Sequence, residues 1–162
     1  MPAKKTLLVG LGNPLNGDDG FGPSVIERLR AAGLDKFPDV SLLDAGTDLL
    51  NHIENFSEHD RVLLIDAILD PEGKLGSPGR VELLEEKSFL SWSEESRGVH
   101  QMSPLLGVKL FRTLHPEARI QIYLLGLFVD QLSHSPLYLT EERIQQAVKA
   151  ATDFTNCTIR SV

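Results

Sequence analysis

The sequence predicts a doubly wound α/β domain: a mostly parallel sheet of about five strands with helices on both faces. Two patterns predict it. The strand candidates are apolar without alternation, as in Thr6–Leu11 and Val62–Ile65, and such strands belong to sheets covered on both sides. Helical spacings separate them, which implies right-handed βαβ crossovers. Size is the third indication. At 162 residues the chain is expected to form one domain over 1–162. A domain of that length buries roughly 68–70% of its unfolded surface and needs no staples.

The elements follow in order. The run at 6–11 is too short for a helix and ends in glycines, so it reads as the first strand. Residues 13–22 form a loop rich in Gly, Asp and Asn. Pro23 suits a first helical turn, where its missing N–H costs nothing. Val25, Ile26, Leu29 and Ala32 carry that helix to a C-terminal Gly33. The second strand runs over 40–43 and ends at Asp44, and Leu49, Leu50, Ile53 and Phe56 space a helix. The third strand, 62–65, ends at Asp66. Residues 67–79 form a long loop with Pro71, Pro78 and three glycines, and long loops are more often functional than idle. A fourth strand at 81–84 precedes a polar, acidic stretch over 85–99 that carries Trp92, which serves either a partner surface or a core or loop-anchoring role. Ser103-Pro104 starts a helix carried by Leu106, Leu110 and Leu114 and stopped by Pro116. The fifth strand covers 120–125. Thr140, followed by Glu141 and Glu142, caps a last helix lined by Ile144, Ala147, Val148 and Ala151.

Composition narrows the function classes. A net charge of −7 disfavours phosphate-backbone binding, so no nucleic-acid partner is expected. No apolar run approaches the roughly 18 residues of a membrane span, and the start does not read as a signal peptide. The single cysteine, Cys157, excludes an internal disulfide and a CxxC zinc site. The expectation is a soluble, cytoplasmic protein without membrane insertion.

Gly10-Leu11-Gly12 invites a dinucleotide reading, which fails. The third glycine position holds Leu15, and the helix start behind the loop carries Asp18 and Asp19, which repel phosphate. Gly10 to Pro14 also looks like the opening of the peptidyl-tRNA hydrolases. Here Leu15 to Gly20 follows in place of that family's histidine-bearing stretch, and the next histidine is His52. There is neither an HExxH helix nor a GxSxG elbow.

Ligands of doubly wound sheets bind outside the carboxyl ends of the strands. That rule selects the loops after Leu11, Asp44 and Asp66. An Asp pair before a helix is by itself a cap, with one carboxylate free to face the crevice. A lone Asp at a strand end and a lone His are by themselves unremarked surface or loop groups. Together, one carboxylate of the Asp18-Asp19 pair, Asp66 and His100 offer two carboxylates and an imidazole at one sheet edge. That donor set suits an exchangeable divalent ion with open positions.

The stretch Gly10 to Gly22 strongly resembles the first motif of the [NiFe]-hydrogenase maturation proteases. Asp44-Ala45-Gly46-Thr47, Asp66-Ala67 and the loop Gly76 to Gly79 match that family too, as does His100 followed by Ser103 and Leu105-Leu106. The resemblance runs from about residue 6 to about residue 152. It implies an endopeptidase that removes the C-terminal extension of a [NiFe]-hydrogenase large-subunit precursor after nickel insertion. It also implies that Asp19, Asp66 and His100 are both the catalytic and the metal-contacting residues. Gly12, Asn13, Asp18, Asp44, Gly46 and Thr47 would shape the substrate crevice. The cofactor implied is nickel carried by the substrate, for which another divalent ion can stand in. The departure is late: Gly126 to Gln131, after the fifth strand, lacks the proline and glutamate common in the family. A nickel-dependent sensor of the large subunit, without hydrolysis, is the alternative of another class.

Overall fold

The computed structural model describes residues 3–92 and 104–156. Five strands form one sheet: β1 (Thr6–Leu11), β2 (Val40–Gly46), β3 (Arg61–Leu69), β4 (Val81–Glu85) and β5 (Gln121–Val129). Their order is β2-β1-β3-β5-β4; β4 alone runs antiparallel, against β5. The helices are α1 (Phe21–Ala31), α2 (Glu86–Leu90), α3 (Pro104–Leu114) and α4 (Glu141–Thr155), with 3-10 segments at Gly17–Gly20, Leu34–Lys36 and Leu49–Glu58. The fold is the single α/β domain the sequence predicts.

Each central strand feeds two cores. Leu7, Val9, Val62, Leu64 and Leu124 face one way and pack with Ile53, Phe56, Val108 and Phe111. Leu8, Leu63, Ile65 and Leu125 face the other way and pack with Val25, Ile26, Leu29, Ala147 and Ala151. Because both faces are buried, the strands show no polar alternation. The rings of Phe56 and Phe111 lie 5.3 Å apart and join the Leu49–Glu58 segment to α3. Such a pair adds about 0.5–1.5 kcal/mol beyond its buried area.

Several local expectations change. The stretch 49–58 is a 3-10 helix, with Leu49, Ile53 and Phe56 buried and Leu50 outside. The buried stripe of α3 is Leu105, Val108 and Phe111, while Leu106 and Leu114 are exposed. Apolar residues surround that helix, so spacing alone leaves its inner face open. Trp92 is half-buried, which supports the core or loop-anchoring role over a partner surface. It packs against Phe89 and Phe128 with centroids 6.5 and 6.3 Å away.

Strand lengths change as well, with direct bearing on the site. β3 runs to Leu69, so Asp66 lies inside a strand rather than at its end. β5 sustains it: every residue from 61 to 69 pairs with 121 to 129. The same pairing places Gly126 to Val129 inside β5, where the sequence suggested a loop. β2 continues to Gly46, with Ala45 bulged where Gly10 pairs with Asp44 and Leu11 with Gly46.

The connection from β1 through α1 reaches β2 on one side, and the next returns across β1 to β3. The topological switch point is therefore the gap between the carboxyl ends of β1 and β3. α1 is held there by close approach. A Cβ on Gly22 would lie 2.3 Å from the Leu11 carbonyl oxygen and 2.4 Å from that of Ile65.

Candidate active site

β1 stops pairing with β3 at Gly10–Ile65. Asp66, half-buried, is the next residue of β3, opposite Gly126 of β5. It therefore stands where the sheet opens at the switch point. From the other side the chain leaves β1 through Gly12 and Asn13 into the 3-10 turn Gly17–Gly20, which packs against β3. Residues 19 and 66 thus lie at one sheet edge, one on the loop and one on the strand.

Local chemistry fixes the loop. Gly12 has φ +123°, and a Cβ there would fall 1.9 Å from the Asp19 carbonyl oxygen. Its N–H donates to the Gly46 carbonyl at 2.8 Å, tying the loop after β1 to the end of β2. Asp19 is 3% exposed, and its Oδ2 accepts the Asn13 N–H at 2.8 Å. The Asn13 side chain in turn accepts from Leu15 N–H at 2.9 Å. Asp44 is exposed, and its Oδ1 accepts the Gly46 N–H at 3.1 Å, an Asx turn supporting the bulge. Gly46 adopts φ +56°, and Thr47 is exposed beside it.

Asp18, expected in the crevice, turns inward. It is 1% exposed, and its Oδ1 accepts the backbone N–H groups of Leu137, Tyr138 and Leu139 at 2.9, 2.9 and 2.8 Å. Neither Asp of the pair caps α1, whose N-cap is Gly20 without a side-chain bond. His100 lies outside the described residues. Among the described residues, no group of three or more His, Cys, Asp or Glu side chains could hold a metal ion. Asp19 and Asp66 supply oxygen donors, which also accept protons, so ligation and general-base work are both open to them.

Residues beyond the sequence reading fix the loops that follow β3 and β5. Asp70 is buried and accepts N–H groups of Lys74, Leu75 and Gly76 at 3.1, 2.7 and 3.1 Å, folding the loop after β3 onto itself. The Tyr138 hydroxyl donates to Asp130 at 2.9 Å, and this bond holds the phenol above its ordinary pKa. Arg143 Nη1 donates to the Tyr138 carbonyl at 2.9 Å. An Asp opening a Pro/Gly loop is a usable signal for Asp70. Nothing local in the sequence marks the partners of Asp18.

Comparison with known proteins agrees with this fold. The model of the HycI hydrogenase maturation protease family matches residues 23–155. The chain belongs to the hydrogenase maturation protease family. The match begins just after the first motif, so Gly12, Asp18 and Asp19 lie outside it. A putative hydrogenase maturation protease of Methanocaldococcus jannaschii is 31% identical over 109 residues, covering 65% of this chain and 68% of that protein. The hydrogenase expression/formation protein HupD of Rhizobium leguminosarum is 39% identical over 67 residues. That stretch is 41% of this chain and spans only a third of HupD (33%). Among solved structures, the [NiFe] hydrogenase maturation protease HybD of Thermococcus kodakarensis superposes with a TM-score of 0.70 at 26% identity, covering 93% of this chain and 99% of that one. HybD of E. coli, a hydrogenase maturating endopeptidase, gives a TM-score of 0.70 at 20% identity over 94% of this chain and 92% of its own, a likeness of fold. In this family member, no helix among the described residues is long and apolar enough to cross a membrane.

Proposed function

We propose that this family member is an endopeptidase acting on a [NiFe]-hydrogenase large-subunit precursor, from which it removes the C-terminal extension after nickel insertion. One observation carries the reading. The Asp19 turn and Asp66 meet the sheet edge at the switch point, where doubly wound sheets bind their ligands.

On this reading the substrate's own nickel is the recognition element. Asp19, Asp66 and His100 would complete its coordination, so that only loaded precursor is held with its scissile segment in the crevice. Holding the segment replaces a bimolecular search by positioning. Asp19 or Asp66 would accept a proton from an attacking water or help to polarise the scissile carbonyl, and the substrate's nickel would supply Lewis acidity for either task. Gly12, Asn13 and Gly46 shape the wall against which the segment lies.

The test is a mass measurement. The purified protein is incubated with nickel-loaded and nickel-free precursor, and the large subunit is weighed. Loss of a C-terminal peptide from the loaded form alone is the expected result. An unchanged mass in a stable complex would establish the sensor reading instead. Equal cleavage of both forms would remove nickel from the recognition step.

A further inference from the structure

The first motif carries two adjacent acids, and the structure gives them different environments. Asp18 Oδ1 receives three consecutive backbone N–H groups, from Leu137, Tyr138 and Leu139. Successive N–H groups converging on one oxygen form an anion-binding nest, here filled by a carboxylate of the same chain. The other oxygen, Oδ2, is buried without a hydrogen-bond partner among the described residues. The carboxylate is therefore committed inward and is not displayed to a ligand.

The contact is one of several at this junction. Gly17 packs so tightly there that a Cβ would lie 2.3 Å from the Ser133 carbonyl oxygen. Tyr138, whose N–H enters the nest, is itself fixed through Asp130 and Arg143. The segment before α4 is thus a rigid seat for the turn that bears Asp19. On the other side, Asp19 is held by the Asn13 N–H and closed over Gly12.

We propose that Asp18 is the positioning residue of the site: its carboxylate latches the first-motif turn to the 137–139 nest and thereby fixes the direction of the neighbouring Asp19 carboxylate. The inference rests on the function proposed above. A charged acceptor is needed because hydrogen bonds to an ionised group are about twice as strong as neutral ones. With the latch loosened, Asp19 swings with its turn, and a misplacement of about 1 Å costs on the order of 100-fold in rate.

The test compares Asp18→Asn, Asp18→Ala and Asp70→Asn. Asp70 is a control of like design, a buried carboxylate accepting three loop N–H groups on a different loop. Steady-state cleavage of the loaded precursor and amide hydrogen exchange of the free proteins are measured. Asp18→Asn should speed exchange at 137–139 and lower kcat at least tenfold with KM within threefold. Asp18→Ala should lower kcat further, so that the amide variant counts as partial rescue. Asp70→Asn should speed exchange at 74–76 and leave kcat within threefold. Equal kcat losses in Asp18→Asn and Asp70→Asn, or unchanged kcat in Asp18→Asn despite faster exchange, would overturn the assignment. If Asp18→Ala does not fold, the Asn variant decides alone. Wild-type protein that leaves the precursor whole overturns the proposed function instead, and the exchange measurement still reads the latch.

Discussion

Replacing Gly12 by alanine attacks the site at its tightest point. The new Cβ would stand 1.9 Å from the Asp19 carbonyl oxygen, on a residue with φ +123°. The obstacle is backbone and cannot rotate away. Relief to even 3.0 Å requires a shift of roughly 1 Å in the turn that carries Asp19. The strained φ costs about 1–3 kcal/mol and the overpacking a similar amount. A total near 2–6 kcal/mol lowers Tm by at least about 4 °C for a chain of this size. The same 1 Å shift predicts a loss on the order of 100-fold in precursor cleavage. Gly73→Ala separates the two effects. Gly73 also has positive φ (+65°), but its Cβ would meet nothing within 4 Å. That variant should lose about 1 kcal/mol and no activity. Thermal unfolding followed by circular dichroism and a timed cleavage assay read both quantities. A Gly12→Ala protein that melts within 2 °C of wild type and cleaves within twofold would refute the close approach and the positioning argument together.

Other outcomes follow from named contacts. Asp19→Asn, Asp66→Asn and His100→Ala should each abolish cleavage in the mass assay; a His100→Ala protein that trims at the wild-type rate would remove that residue from the site. Arg112→Ala should cost about 2–3 kcal/mol in urea unfolding. Arg112 makes two bonds to Glu86, at 2.8 and 2.7 Å, and also holds the carbonyls of Ala118 and Ile120. A loss under about 0.5 kcal/mol would show that these bonds are replaced by water. The exposed pair Arg28–Glu141 should behave otherwise. The Arg28 hydrogen bond holds the Glu141 carboxyl below its ordinary pKa. Its contribution is therefore present above the ordinary carboxylate range and lost as pH falls through the lowered value. Solvent screening keeps it small, so Glu141→Gln should leave Tm at pH 7 within about 2 °C and the acid unfolding curve nearly unmoved.

Much of this protein was legible in the amino-acid order. Unalternated apolar strands and intervening helical spacings predict a covered parallel sheet, because burial on both faces favours apolar residues at successive positions. The glycines and acids of residues 10–22 carry the family resemblance, because a chain that turns tightly at a sheet edge needs those residue types in that spacing. Where an element's fate depends on its neighbours, the sequence is silent. β3 extends past Asp66 only because β5 pairs with it to Leu69. α3 buries Leu105, Val108 and Phe111 rather than Leu106 and Leu114 because packing selects one of two apolar stripes. Asp18 and Asp19 are indistinguishable as letters. Donors about 120 positions away turn one inward, while Asn13 holds the other at the loop. Local pattern encodes which segments become strand or helix, since that choice is made over a few residues. Which carboxylate anchors and which stands at the sheet edge is a matter of contacts between distant segments, and these exist only once the chain has closed on itself.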